Sequence, residues 1–234
     1  GMGGGGKTTL AQIVYNDRRT SSHFDLKMWI HVSKDFSVRR ITREIMESAS
    51  KGRQSELVNW STVQNNLKGQ LQGKRYLLVL DDVWNEDRNR WEQIFLPLRH
   101  GERGSKILIT AQNKKVANIM DMTSLYSLEG LSDQDCWLIF ERFAFANGNS
   151  SEHPKLEELG KEIVGKIKGL PLAAKILGGL LYSKVDEDSW RIILESEICQ
   201  LPQNAKNILS ALGLSYQQLP AHLKQCFPYC CFFP

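Results

Sequence analysis

The sequence lacks the features that would mark a membrane, secreted or nucleic-acid-binding protein. Its longest apolar stretch, Gly169 to Tyr182, is too short to span a bilayer and is interrupted by Lys175. No signal-peptide pattern is present. Its five cysteines are odd in number and have no framework spacing. That argues against a disulfide scaffold and for a reducing, cytosolic or nuclear setting. Thirty Lys and Arg against twenty-six Asp and Glu leave a net charge of +4. The excess is spread along the chain, with no basic block to serve as a nucleic-acid footprint. No repeat of fixed period and no low-complexity tract occurs. What remains is an ordinary globular composition, 41% hydrophobic and 24% charged, in 234 residues. That length suits one large domain or two modest ones.

Two further absences concern the ends. No residues precede Gly1, although the motif that begins there normally follows a buried strand. The apolar run Phe227 to Pro234 stops abruptly. The expectation is an internal piece of a longer protein, with the first strand of its sheet missing, that folds poorly alone.

The motif itself is Gly1-Met2-Gly3-Gly4-Gly5-Gly6-Lys7-Thr8-Thr9, a complete G-x-x-x-x-G-K-[ST] phosphate loop. Its glycines allow positive φ and turn N–H groups inward around anionic oxygens. Lys7 supplies a charge for β- and γ-phosphates, and the Thr8 hydroxyl suits Mg²⁺. Leu10, Ile13 and Val14 continue it as a helix, whose positive end faces the same anion. Gly1, Gly3, Gly4, Gly5, Gly6, Lys7, Thr8 and Thr9 are therefore the expected binders of a purine nucleotide.

Beyond the loop, strand-like and helix-like segments alternate. Strands are expected at Met28–Val32, Arg75–Leu80 and Lys106–Thr110, with a final one at Leu125–Leu128. Helices are expected at Val38–Ala49, Trp60–Leu71 (capped by Asn59 or Ser61), Trp91–Leu98 and Lys114–Met120. The near-continuous apolar run into Leu80 reads as a strand buried on both faces. This rhythm predicts a doubly wound parallel sheet of the P-loop NTPase kind. Ser132 and Asp135 form a capping box for a helix to about Phe145. After the polar loop at 147–151 only helical patterns remain: Lys155–Lys168, Leu172–Tyr182, Ser189–Glu195, Ala205–Tyr216 and Ala221 onward. The expected division is a nucleotide-binding subdomain over 1–148 and an all-α subdomain over 149–234. Trp29, Trp84, Trp91 and Trp137 are expected in the core.

The strand ending Leu80-Asp81-Asp82 places carboxylates at the edge of the sheet where ligands sit. Asp81 is the expected Mg²⁺ residue with Thr8. Asp82, pointing the other way along the pleat, is the candidate catalytic base for an attacking water. His222, Cys226 and Cys230 share a helical spacing, but Pro228 breaks that helix and the cysteines read as buried apolar groups rather than metal ligands. Cys136 has no neighbouring His to make it a nucleophile.

Five motifs in order carry a family likeness: the phosphate loop, Leu80-Asp81-Asp82-Val83-Trp84, Gly104-Ser105-Lys106-Ile107-Leu108-Ile109-Thr110, Gly169-Leu170-Pro171-Leu172-Ala173 and Cys226-Phe227-Pro228-Tyr229-Cys230. The chain resembles the NB-ARC module of plant nucleotide-binding leucine-rich-repeat disease-resistance proteins, from Gly1 to Pro234. Trp84 and the segment around Phe24 to Val32 resemble the coiled-coil subclass. The resemblance implies a cytoplasmic molecular switch. It would rest with ADP, exchange it for ATP, oligomerise to signal defence and hydrolyse ATP slowly as a reset. Coiled-coil and leucine-rich-repeat domains would lie outside these residues. It also implies that Pro171 packs on adenine, with Leu172 beside it.

Two positions depart from the family pattern. Gln112 stands where the resemblance implies a γ-phosphate-sensing arginine, and lacks its charge. Gly5 replaces a bulkier apolar residue and loosens the loop. Two other functions stay open: a P-loop kinase or fast ATPase with Asp82 as base, and an interaction scaffold that no longer uses nucleotide.

Overall fold

The computed structural model describes residues 1–32, 35–50, 59–120, 124–145, 147–182, 184–196, 213, 216 and 221–226. The chain resolves into two compact units: Gly1 with Lys7–Ser127, and Met2–Gly6 with Leu128–Pro234. The polar loop at 147–151 lies inside the second.

The first unit runs α1 (Lys7–Asn16), α2 (Arg18–His23), β1 (Leu26–His31), α3 (Val38–Ala49), α4 (Trp60–Leu71), β2 (Tyr76–Val83), α5 (Arg88–Leu98), β3 (Lys106–Ala111) and α6 (Lys114–Ile119). Its three strands form a parallel sheet in the order β1-β2-β3. Leu26 lies opposite Tyr76 and His31 opposite Asp81; Leu80 lies opposite Ile109. Parallel neighbours need crossover connections, and the intervening helices supply them.

Side chains alternate across the sheet with period two, so each strand feeds two cores. Met28, Ile30, Leu78 and Leu80 are buried on one face with Ile41 and Ile45 of α3, Leu67 and Leu71 of α4, and Trp91 and Ile94 of α5; Ile107 and Ile109 pack there too. Leu77 and Val79 are buried on the other face with Ala11 of α1, against Trp29, Leu108 and Tyr15. This double burial is why β2 has no polar residue before Asp81. Lys27 meets the second face through its head group. Its ammonium donates to the Tyr15 carbonyl in the last turn of α1 and to Ser21 Oγ, each at 2.7 Å, and lies 4.6 Å from the Tyr15 ring centroid.

Local caps set the helix starts. Ser37 accepts from the Arg40 N–H, Asn59 from Ser61, Asp87 from Arg90 and Asn113 from Lys115. The Asp87 cap starts α5 three residues before the expected Trp91. Two other expectations fail. Leu125–Leu128 forms no strand: it pairs with no strand among the described residues, and Leu125 and Tyr126 are exposed. Trp84 is 42% exposed rather than core, because the chain has left the sheet at Val83. Trp91 is fully buried, with its indole N–H on the Asn85 carbonyl at 3.1 Å.

Tyr76, at the start of β2, is buried and donates its hydroxyl to the Leu98 carbonyl at 3.1 Å. Burial pushes its pKa from 10.0 up to about 12.

The second unit is helical where described: α7 (Asp133–Ala144), α8 (Pro154–Lys166), α9 (Pro171–Leu181), α10 (Glu187–Glu195) and α11 (Ala221–Cys226). The Ser132 hydroxyl takes the Asp135 N–H at 3.1 Å, as the capping box requires. Phe140, Ile163, Ala174, Leu177 and Trp190 centre the core. Burial and nearby Asp133 and Asp135 push the Cys136 thiol up, so it stays protonated and inert. Two glycines allow close helix contact. A Cβ on Gly160 would lie 2.7 Å from the Trp137 ring and 2.9 Å from Phe140, and one on Gly178 would lie 2.7 Å from the Phe140 carbonyl oxygen. The helix expected over 205–216 lies almost wholly outside the described residues, as does Cys230.

Adjacent glycines of α9 should respond oppositely to alanine. Gly178→Ala forces backbone apart and should lower stability by about 1–3 kcal/mol. Gly179 is exposed with nothing near its absent Cβ, so Gly179→Ala should raise stability by about 0.5–1 kcal/mol through helix propensity. Urea-unfolding midpoints test both. For Tyr76, the folded state favours the neutral phenol. Its contribution is therefore complete below pH 10.0 and is lost as pH rises towards about 12. Tyr76→Phe should flatten that alkaline decline and cost about 1 kcal/mol at neutral pH.

Candidate phosphate and cation site

Within the loop, Gly4 and Gly6 adopt φ of 68° and 89°, the left-handed conformations that glycine alone takes without strain. Gly5 is not left-handed, and a Cβ there would meet only the Met2 carbonyl, at 3.2 Å. So two glycines are demanded by backbone geometry and Gly5 is not. The Gly5 N–H donates back to Met2 at 3.3 Å, closing the turn.

Lys7 opens α1, and its ammonium donates to the Gly1 carbonyl at 3.2 Å. Partial burial pushes its pKa down, opposed by the carboxylates of Asp82 and Asp81. Thr8 follows in the first turn, and its hydroxyl donates to Asp81 Oδ1 at 2.8 Å. That bond joins residues 73 positions apart and brings the start of α1 to the end of β2. Thr9 is exposed.

Asp81 is buried, and its environment is mostly hydroxylic. Oδ1 accepts from Thr8 and also from the Thr110 hydroxyl, at 2.6 Å. Oδ2 faces the exposed His31 ring, whose Nδ1 stands 3.8 Å away. Sheet register explains the grouping: His31 is the β1 partner of Asp81, and Thr110 follows Ile109, the partner of Leu80. Both residues were identifiable as strand-end polar groups, but their meeting point depended on the register.

Asp82 departs from the expected pleat. Its φ is 58°, and the β2-β3 pairing shifts between Leu80 and Val83. Its N–H is redirected to Thr110 Oγ1 at 2.9 Å. The two acids are thus not simple alternates on one strand. A left-handed irregularity within β2 begins at Asp82, which is half-buried beside Lys7. Gln112 is exposed just beyond β3, and its carbonyl and that of Ala111 accept from the Gly1 amino group, at 2.9 and 3.2 Å.

Pro171 and Leu172 occupy the first turn of α9. Pro171 sits at the first helical position, where its missing N–H costs nothing. Upstream, Lys168 and Gly169 are both left-handed, with φ of 50° and 75°. The Leu131 N–H donates to the Gly169 carbonyl at 2.9 Å. A Cβ on Gly169 would collide with the Leu131 carbonyl. The Leu172 N–H reaches the Gly4 carbonyl at 3.4 Å, so loop and helix start touch within the second unit.

A hard divalent cation fits these donors. Asp81 and Thr8 offer oxygen only, and the direct hydrogen-bond donors on the carboxylate are neutral hydroxyls, which leave its negative charge available to a cation. No cluster of three or more His, Cys, Asp or Glu capable of caging a metal occurs among the described residues. A cation here would therefore draw most of its ligands from phosphate and water, as Mg²⁺ does. No helix among the described residues is long and apolar enough to cross a membrane.

Comparison with known proteins adds two findings. Residues 1–150 match the family model described as the NB-ARC domain. The whole chain aligns with the disease resistance protein RGA2 of Solanum bulbocastanum at 48% identity and the putative disease resistance protein RGA1 of that plant at 46%. It aligns with the putative disease resistance RPP13-like protein 1 of Arabidopsis thaliana at 42%. It spans 24% of the first two proteins and 22% of the third.

The loop geometry separates neighbouring glycines. Gly6→Ala forces a Cβ into left-handed backbone and should weaken ADP binding about tenfold, the equivalent of roughly 1–2 kcal/mol. Gly5→Ala should stay within about threefold of wild type, since its φ suits any residue. Calorimetric titration of both variants checks the contrast.

Proposed function

Since the chain belongs to the NB-ARC domain family, we propose that it is the nucleotide switch of a plant immune receptor, holding ADP at rest and ATP when active. One observation carries the reading: the Thr8 hydroxyl of the phosphate loop and the buried Asp81 carboxylate meet at 2.8 Å. The hydroxyl at the start of α1 and the acid on β2 that the motifs assign to one cation thus lie within hydrogen-bond reach. The disease resistance names of its relatives supply the biological setting.

In this reading the loop N–H groups from Gly1 to Gly6, with Thr9 in the first turn of α1, wrap the diphosphate. The Lys7 ammonium exchanges the Gly1 carbonyl for phosphate oxygens. Its proton affinity is lowered first by partial burial, against the pull of Asp82 and Asp81, and the negative charge of a phosphate would offset that burial. Bound Mg²⁺ would neutralise β- and γ-oxygens and be held by Thr8 and Asp81. Asp82 orients and deprotonates a water for slow hydrolysis. Pro171 offers adenine an apolar ring with no N–H to satisfy, and Leu172 fixes that helix start to the loop through Gly4. Gln112 can donate only a neutral hydrogen bond to a γ-phosphate, which weakens discrimination of ATP from ADP. The same reading places the protein inside the cell, joined to coiled-coil and leucine-rich-repeat domains and assembling with copies of itself on activation.

Full-length protein should retain ADP through purification, identified by mass, and turn over ATP well below the roughly 10 s⁻¹ median of enzymes. Lys7→Ala should purify empty, and Gln112→Arg should raise ATP affinity relative to ADP. Turnover that depends on a phosphoryl acceptor would instead mark a kinase. Empty protein that will not load ADP would mark a scaffold.

A further inference from the structure

The hydroxyl of Thr110 has a place in the site that the phosphate-loop and acid motifs do not account for. It lies on β3, is 6% exposed, and makes two bonds at once. It donates to Asp81 Oδ1 at 2.6 Å and accepts from the Asp82 N–H at 2.9 Å. The second bond holds a non-glycine residue at a φ of 58°. Left-handed backbone at an aspartate persists only where its surroundings fix it. Thr110 thus ties both acids, the carboxylate of one and the backbone of the other, to a neighbouring strand.

We propose that Thr110 is the positioning residue of the cation site: its hydroxyl fixes the Asp81 carboxylate so that a divalent ion meets it already oriented. This rests on the nucleotide-switch reading above. Thr8 also bonds Oδ1, but its oxygen is itself an expected cation ligand, so its position is tied to the ion rather than independent of it. Thr110 sits on the sheet and keeps its bond to Oδ1 in either condition. It thereby directs Oδ2, which faces only the distant His31 ring among the described residues, towards the open side. Hydrogen-bond partners that orient a ligating carboxylate typically change metal affinity by about 10–100-fold when removed. Thr110→Val keeps the shape of the side chain while removing both bonds.

The test uses full-length protein loaded with ADP and titrated with Mg²⁺, beside ADP titrations in EDTA. Thr110→Val should weaken Mg²⁺ by about 10–100-fold while leaving ADP affinity in EDTA within about threefold. Thr110→Ser, which keeps the hydroxyl, should match wild type in both. If Thr110→Val does not fold, Thr110→Cys against Thr110→Ser makes the same comparison. An unchanged Mg²⁺ affinity in the hydroxyl-free variant overturns the proposal but leaves the switch intact. Equal losses with and without Mg²⁺ overturn it too, by assigning Thr110 a general structural role. Wild-type protein that takes up no ADP, or binds it without sensitivity to Mg²⁺, overturns the switch reading and this proposal together.

Discussion

A single buried carboxylate organises the described site. Asp81 ends the most apolar strand of the sheet, and a charge at that position needs donors. It finds them in two hydroxyls from opposite directions: Thr8 on the phosphate-loop helix and Thr110 on the adjoining strand. Each is nearly neutral in charge terms, so the pair satisfies hydrogen-bonding capacity without cancelling the negative charge. An arginine partner would have neutralised that charge and left little for a cation to do. The site is therefore specified as much by what Asp81 is not paired with as by what it is.

The sheet delivers those partners because of its alternation. Leu77 and Val79 of β2 pack towards α1, and Tyr76, Leu78 and Leu80 towards α3, α4 and α5. With both faces filled by side chains, the only place left for polar chemistry is the carboxyl edge of the strands. His31, Asp81 and Thr110 stand there in register. The left-handed residue Asp82 then shifts the pairing, so that Val83 meets Ala111 before the chain leaves the sheet.

Much of this was legible in residue order. The α3 and α4 spans follow from apolar spacing flanked by Ser37 and Asn59, both local signals. The phosphate loop and Asp81 declare themselves through composition and position. The unreadable parts are non-local. The φ of Asp82 depends on a hydroxyl 28 residues later. Thr110 is one threonine among several until the β2-β3 register places it beside the acid. Leu125–Leu128 has the pattern of a strand, but pairing is a property of two segments, and no partner strand accompanies it among the described residues. Trp84 was misjudged for the converse reason: aromatic character suggests a core, but the turn before it carries the ring outward.

Lys27 gives the phosphate-loop helix an anchor at its far end. Its ammonium rests on a terminal carbonyl of α1, where the helix macrodipole is negative. An anion at the opposite tip then completes an arrangement already half built: opposite charges bracket ten residues, and only one of them is exchangeable. The permanent cation favours the wound helix whether or not its other end faces an anion, so loss of a charge at that tip would leave the segment's far end anchored.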